Sequence, residues 1–173
     1  ALPTAMGLSV YFSDVTKQHL RESRLRLLQA AVDRVNDLII ITDAEPFGAK
    51  DGPKIVFANS AYYRRTGYAP SEVIGKSPRI LQGPNSQAGE IKRVSDAMRE
   101  WKTVRADVIN YTKSGEEFWM ELDIVPIGDK AGKYTHWVSI QRDITERKLA
   151  EEELRLSDER FNMVAKATND VFW

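Results

Sequence analysis

The back half of the chain carries three β runs in close succession, at residues 103–112, 117–127 and 134–143, separated only by short turns. The first turn is Lys113-Ser114-Gly115 and the second, 129–133, also contains a glycine. Strands and helices therefore do not alternate as βαβ units would, which points to an antiparallel sheet. Residues 117–127 show period-2 alternation at Phe118, Met120, Leu122 and Ile124, shifted past Pro126 to Ile127. Two earlier runs complete the set: 38–43 (LIIITD), marked as a buried strand by its β-branched residues, and 54–58 (KIVFA). Between the front and back strands lie short helices. Asn59 can cap one that passes through Tyr62, Tyr63 and Arg64 and stops at Gly67; Pro70-Ser71-Glu72 starts another that Gly75 stops. Residues 88–101 read as a longer helix with Ile91, Val94, Ala97, Met98 and Trp101 on one face. The sum is an α+β class: one five-stranded antiparallel sheet with short helices on one face.

The stretch 75–84 sits between the two halves. Glycines at Gly75 and Gly83 and prolines at Pro78 and Pro84 enforce bends. Between the bends lie one guanidinium (Arg79), one amide (Gln82) and two aliphatics (Ile80, Leu81). Two readings are open. The stretch is a surface turn whose aliphatics plug the core, or a pocket wall that meets both an apolar ring and a polar or anionic tail.

Composition narrows the function classes. The 173 residues hold 25 basic and 25 acidic side chains, so no electrostatic footprint for nucleic acid or an anionic membrane surface is expected. There is no cysteine, which excludes disulfides, thiolate metal sites and a thiol nucleophile within the chain. The longest strongly apolar run, 38–41, is far short of the ~20 residues that span a bilayer. With no secretory pattern at the start, a cytoplasmic location without direct membrane contact is expected. No Ser/His/Asp triad, metal cluster or phosphate-cradling glycine loop is visible, so neither an enzyme nor a metal site is expected. Asn110-Tyr111-Thr112 matches a glycosylation sequon but lies in a strand without a secretion signal.

The flanks are charged and helical. Leu25, Leu28, Val32 and Val35 step by 3, 4 and 3, and Ala150, Leu154, Ser157, Phe161 and Val164 by 4, 3, 4 and 3. That spacing fits a coiled-coil seam or an ordinary amphipathic helix lying on its own domain. Two internal echoes accompany it. Residues 9–16 resemble 138–145, and residues 31–39 resemble 164–172, at offsets of 129 and 133. The expected organisation is the tail of a preceding unit at 1–16, a linker helix at 17–35, a domain at 36–147, a linker helix at 148–163 and the start of a following unit at 164–173. Both ends read as cut from a longer chain.

With the strands placed, residues 29–147 resemble a PAS domain with its C-terminal PAC part. The residues that carry the resemblance are Ile41-Thr42-Asp43, Phe57-Ala58-Asn59, Thr66-Gly67-Tyr68, Glu72-Val73-Ile74-Gly75-Lys76 and Arg142-Asp143-Ile144-Thr145-Glu146-Arg147-Lys148. Arg79-Ile80-Leu81-Gln82-Gly83-Pro84, Asn110-Tyr111-Thr112-Lys113-Ser114-Gly115, Phe118-Trp119 and Ile140-Gln141-Arg142-Asp143 further resemble the light-oxygen-voltage (LOV), flavin-binding branch. That resemblance implies the PAS fold and a flavin, FAD or FMN. It implies Arg79 at the flavin phosphate and Gln82, Asn110 and Gln141 around its polar edge and tail. It adds Thr42 as a pocket residue and an apolar sandwich from Ile40, Ile80, Leu81, Leu122 and Ile124. Gln141, Asp143 and Thr145 are the expected signal relay.

Three positions depart from that branch. Pro78 stands where the photoactive cysteine is expected, so no thiol–flavin adduct can form. Met120 replaces an asparagine, and a second phosphate-contacting arginine falls on Ala88. Haem is not expected, because His19 lies in a linker and His136 on the last strand. The expected function is a sensory PAS module of a bacterial-type multidomain protein, sensing light or redox state through a flavin without a cysteinyl adduct. It would dimerise through its linker helices and relay to adjacent PAS and output domains, a histidine kinase or a cyclic-di-GMP enzyme. A ligand-free dimerisation and spacer module is the alternative, and a small-metabolite-binding PAS domain the third reading.

Overall fold

The computed structural model describes residues 16–44 and 52–169. The β run at 7–12 and the end of the chain from 170 lie outside the described residues. The chain divides into two units, 1–34 and 35–173. In the first, α1 (Thr16–Arg34) is one 19-residue helix whose Leu20, Leu25, Leu27 and Leu28 are exposed.

The second unit is built on a five-stranded sheet: β1 (Leu38–Asp43), β2 (Ile55–Ala58), β3 (Val104–Tyr111), β4 (Glu117–Gly128) and β5 (Tyr134–Asp143). The strand order is β2-β1-β5-β4-β3, and every neighbouring pair is antiparallel. The first and last strands of the unit thus lie side by side at the centre. Period-2 alternation puts one set of residues on the inner face. Register aligns them in rows: Leu38 opposite Gln141 opposite Leu122, then Ile40 opposite Ser139 opposite Ile124. The inner face carries Phe118 and Met120, both essentially inaccessible, as the alternation predicts. Ile127 does not join them and is exposed. The register shift falls between Ile127 and Gly128, after Pro126 and not at it. Pro126 lies beyond Ile124, the last β4 residue paired with β3, where a proline's missing N–H is best tolerated.

Helices α2 (Ser60–Thr66), α3 (Pro70–Val73) and α4 (Ala88–Arg99) and a 3-10 turn (Pro78–Leu81) cover the inner face. Asn59 caps α2 and does more. Its Oδ1 accepts from the N–H of Tyr62 (3.1 Å) and of Ile39 (3.0 Å), while its Nδ2 donates to Asp37 O (3.0 Å), tying the helix start to β1. Gly67, at φ 76°, closes the helix as expected. The end of α4 is unusual. Trp101 N–H bonds to Met98 O and Lys102 N–H to Ala97 O, both at 3.0 Å, the pattern of a Schellman ending. Its left-handed position, where glycine is usual, holds Trp101 at φ 56°. The sequence places Trp101 on the helical face; the structure places it just past the helix.

Both outer strands are tied down. On β3, Ser86 Oγ donates to Ile109 O (2.6 Å), Ile109 N–H to Gln87 Oε1 (2.9 Å) and Arg93 Nη2 to Arg105 O (2.6 Å). On β2, Ile55 N–H bonds to Lys76 O and Gly75 N–H to Ile55 O, both at 2.8 Å.

β5 leads directly into α5 (Thr145–Asn169), a single 25-residue helix. The expected boundary at 163 falls inside it, just as residues 31–34, the first echo's equivalents, are helical in α1. Asp143 Oδ1 accepts from the N–H (2.9 Å) and hydroxyl (2.6 Å) of Thr145. Its Oδ2 accepts from Arg65 Nε of α2 at 2.5 Å. Thr145 Oγ1 in turn accepts from Trp119 N–H of β4 at 2.9 Å. The junction between sheet and helix is therefore fixed to both α2 and β4.

Candidate functional site

The inner face of the sheet and its helical cover enclose a cavity of about 130 Å³. One water needs roughly 10–15 Å³ on that measure, so the space suits a larger guest. The floor comes from alternate residues of four strands: Ile40 and Thr42 of β1, Val108 and Asn110 of β3, Leu122 and Ile124 of β4, and Trp137, Ser139 and Gln141 of β5. The roof is Tyr62 of α2, residues 77–79, 81 and 82 around the 3-10 turn, and Ile91, Val94, Ser95 and Met98 of α4. Thr42, Arg79, Gln82, Asn110, Leu122, Ile124 and Gln141 thus all line one cavity. Ile80 does not. Successive residues of a tight turn diverge in direction, so Leu81 meets the cavity while Ile80 packs against the core cluster beside it. Tyr62, Trp137 and Ser139 are lining residues that the sequence reading missed. The last two share the alternation parity of Gln141, which was the available signal.

The lining is largely apolar with a few aimed polar atoms, the usual make-up of a small-molecule site. Thr42 Oγ1, Tyr62 OH and Gln141 Oε1 are buried without a hydrogen-bond partner. A buried polar atom left unpaired costs about 1–3 kcal/mol, and three around one cavity need an explanation. The other end of the Gln141 amide is held: Nε2 donates to Ser139 Oγ at 3.1 Å. Asn110 Nδ2 reaches only the Met120 thioether, at 3.4 Å, a weak acceptor. Burial pushes the Tyr62 phenol well above its ordinary range, so it stays protonated and can donate.

The charged features lie at the mouth. Arg79 is exposed, and among the described residues no carboxylate pairs with it. It shares a wider opening with Gln82, Ala88, Lys92, Ser95 and Arg99. Asp96 pairs with both Lys92 (2.5 Å) and Arg99 (2.6 Å), which leaves the rim net positive. Gly83 forms part of this rim, and Tyr111 packs on it: a Cβ there would sit 2.3 Å from the Tyr111 ring. Pro78 occupies the wall where a reactive thiol would be needed, at the first position of the 3-10 turn. His136 lies on the opposite parity of β5 from the cavity, with Nδ1 2.9 Å from Thr135 Oγ1. Among the described residues no group of His, Cys, Asp and Glu could hold a metal ion, and no helix is long and apolar enough to cross a membrane.

A floor of alternate strand residues, a roof of short helices and a last strand running straight into a helix define a sensor domain. Residues 39–146 match the PAS domain family, and the chain belongs to it. LOV proteins are among the solved structures it resembles. The chain is 35% identical over 134 residues to a blue-light-activated histidine kinase of Brucella anthropi and 36% identical to that of Brucella canis, covering 71% of this chain in each case. It spans only about a quarter, 27%, of those kinases' length. Among solved structures it is similar to an RNA-binding light-oxygen-voltage receptor (TM-score 0.70, 27% identity, 95% of this chain and 42% of that one). It is also similar to the LOV domain of a blue-light-activated histidine kinase from Erythrobacter litoralis (TM-score 0.58, 31% identity, 65% of this chain and 99% of that one). The fold is LOV-like, with Pro78 in place of the cysteine.

Proposed function

We propose that the chain is the sensory module of a multidomain bacterial signalling protein and that its cavity holds a flavin, FMN or FAD, without forming a covalent adduct. The observation that carries the reading is the set of unpaired oxygens of Gln141, Thr42 and Tyr62 set among apolar walls. A flavin ring is flat and apolar with donors and acceptors along one edge. The Gln141 and Asn110 amides can offer either, and Tyr62 a donor. Ile40, Leu81, Leu122 and Ile124 supply the faces that sandwich the ring. Arg79 pairs with the phosphate at the mouth, and Lys92 and Arg99 provide there the positive charge that Ala88 lacks. When bound, the flavin supplies light absorption and redox chemistry.

The residues of this chain turn that chemistry into movement. Gln141 pinned at Nε2 by Ser139 presents its Oε1 to the ring edge. A changed hydrogen bond there alters the β5 backbone two residues before Asp143. Asp143 and Thr145 fix the start of α5, so the change passes into that helix and on to the next domain. The output domain is a histidine kinase, a reading supported by the similarity to the Brucella kinases.

The test is the absorption spectrum of the purified chain, alone and after FMN or FAD is added and excess removed. A structured blue band that survives gel filtration supports the reading. A flat visible spectrum with either flavin overturns it. A second reading, a ligand-free dimerisation and spacer module, draws on the exposed seam residues Leu25 (65%), Leu28 (55%), Leu154 (65%) and Phe161 (74%). It expects a colourless dimer that Leu154→Glu and Phe161→Glu dissociate. The two readings share the expectation that the chain is a homodimer through its flanking helices.

A further inference from the structure

One wall of the cavity continues outward as an aromatic stack. Trp137, 1% exposed, lines the cavity. Its ring centroid lies 5.0 Å from that of Trp101 with the planes 7° apart, and Trp101 stacks on Tyr134 at 4.9 Å and 21°. Tyr134 is 42% exposed. Three π systems in near-parallel contact therefore connect the buried wall to solvent. The middle member is the residue held at φ 56°, a backbone conformation that side-chain-bearing residues rarely adopt. Such outliers persist where the surroundings over-determine them and cluster at functional positions.

We propose that Tyr134, Trp101 and Trp137 form an electron-supply path from the surface to the cavity. The inference rests on the flavin reading of that cavity. Trp137 gives one electron to a light-excited flavin ring. Trp101 returns one electron to Trp137, and Tyr134 returns one to Trp101 while releasing its phenolic proton to water. The balance is one electron gained in the cavity, and one electron and one proton lost from Tyr134. A small thiol in solution then returns a hydrogen atom to Tyr134 and becomes a thiyl radical. The chain itself offers no thiol, since it has no cysteine.

Chemistry selects this route over the other aromatic in the wall. Tyr62 also lines the cavity, but it is fully buried, so its phenolic proton has no way out to solvent. A phenol that cannot release its proton is a poor one-electron donor, and burial holds this one protonated. Tyr134 is the member of the stack from which a proton can leave to solvent. If Trp101 served only as an apolar plug at the end of α4, its replacement would change stability and leave electron flow untouched.

The experiment uses the 173-residue chain loaded with FMN, kept anaerobic and lit with blue light, read by electron paramagnetic resonance and by bleaching of the blue band in the presence of a small thiol. Wild type is expected to give a tyrosyl signal. Tyr134→Phe is expected to lose that signal and to bleach more slowly. Trp101→Leu is expected to do both while keeping the dark FMN spectrum. Near-ultraviolet circular dichroism of the flavin-free chain gives an independent readout: the exciton signal of the stacked indoles should vanish in Trp101→Leu and persist in Tyr134→Phe. If Trp101→Leu fails to fold, Tyr134→Phe still decides, because its side chain is surface-exposed. Wild-type radical yield and bleaching rate in Tyr134→Phe would overturn the path while leaving the flavin reading intact. Failure of the wild-type chain to bind FMN or FAD would overturn the flavin reading and the path with it.

Discussion

Trp101 makes a stability prediction whose sign runs against helix propensity. Consider Trp101→Gly and Trp101→Ala. Both remove the indole, and with it the stacking on Trp137 and Tyr134. Truncating a packed tryptophan costs about 3–5 kcal/mol, and the loss is shared by both variants. Their difference isolates the backbone. Alanine at φ 56° bears the steric cost of the left-handed region, about 1–2 kcal/mol, which glycine escapes. Glycine in turn loses more chain entropy on folding, worth about 0.4–1 kcal/mol. The net expectation is that Trp101→Gly is the more stable of the two by about 0.5–1 kcal/mol. With a urea slope of about 1–3 kcal/mol/M, their unfolding midpoints should differ by a few tenths of a molar. Urea titration followed by far-ultraviolet circular dichroism measures it. The same pair at Arg64, exposed within α2, is the control, where alanine should win by about 1 kcal/mol. Trp101→Ala equal to or more stable than Trp101→Gly would refute the reasoning, because the left-handed position would then impose no cost.

Other residues give further tests. Asn59→Ala removes two bonds to backbone N–H groups and one to a carbonyl at a fully buried site, and should cost about 2–4 kcal/mol in urea unfolding; a loss under about 1 kcal/mol would contradict the role assigned to it. Gly83→Ala should dislodge the Tyr111 ring, seen as a change in the near-ultraviolet spectrum, and weaken the bonds from Asn85 N–H and to Glu117 that its hydroxyl makes. Gln141→Leu should keep the flavin but abolish the light-dependent change in amide exchange at the start of α5; an unchanged response would remove Gln141 from the relay. Burial opposes the charge on Asp143, but the bonds from Thr145 and Arg65 outweigh it and hold its carboxyl below the ordinary range. A depressed value contributes stability that is complete above the unfolded value of about 3.9 and is lost as pH falls through the folded one. The stability gap between wild type and Asp143→Asn should accordingly shrink on acidification below pH ~4, and a gap independent of pH would sink this assignment.

The features legible in the sequence were those that depend on local pattern. Alternation at Phe118, Met120, Leu122 and Ile124 placed the inner face of β4, and Asn59 and Gly67 bracketed α2. The seven candidate residues, which the family resemblance points to, line one cavity: strand parity brings Thr42, Asn110, Leu122, Ile124 and Gln141 together, and the 3-10 turn and its cap add Arg79 and Gln82. What escaped was set by context. Alternation carried Ile127 inward, but the strand has lost its β3 partner by that point and the residue is exposed. Ile80 and Leu81 are indistinguishable by composition, and only the direction of the 3-10 turn separates them. Trp101 fitted a helical face by spacing, yet no propensity scale places tryptophan in a left-handed helix ending. Lys92 and Arg99 at the rim were invisible to motif matching, since they lie elsewhere on α4 than Ala88.

The ties along the two outer strands bear on how copies of this chain can meet. An open sheet ends in rows of unpaired N–H and C=O groups, a template on which any extended segment can add. Here Ser86, Gln87 and Arg93 occupy groups along the free side of β3, and Gly75 and Lys76 do the same for Ile55 of β2. Strand addition at those points would have to displace bonds already made. At those points the sheet is thereby guarded against growing into a longer one by edge-to-edge pairing.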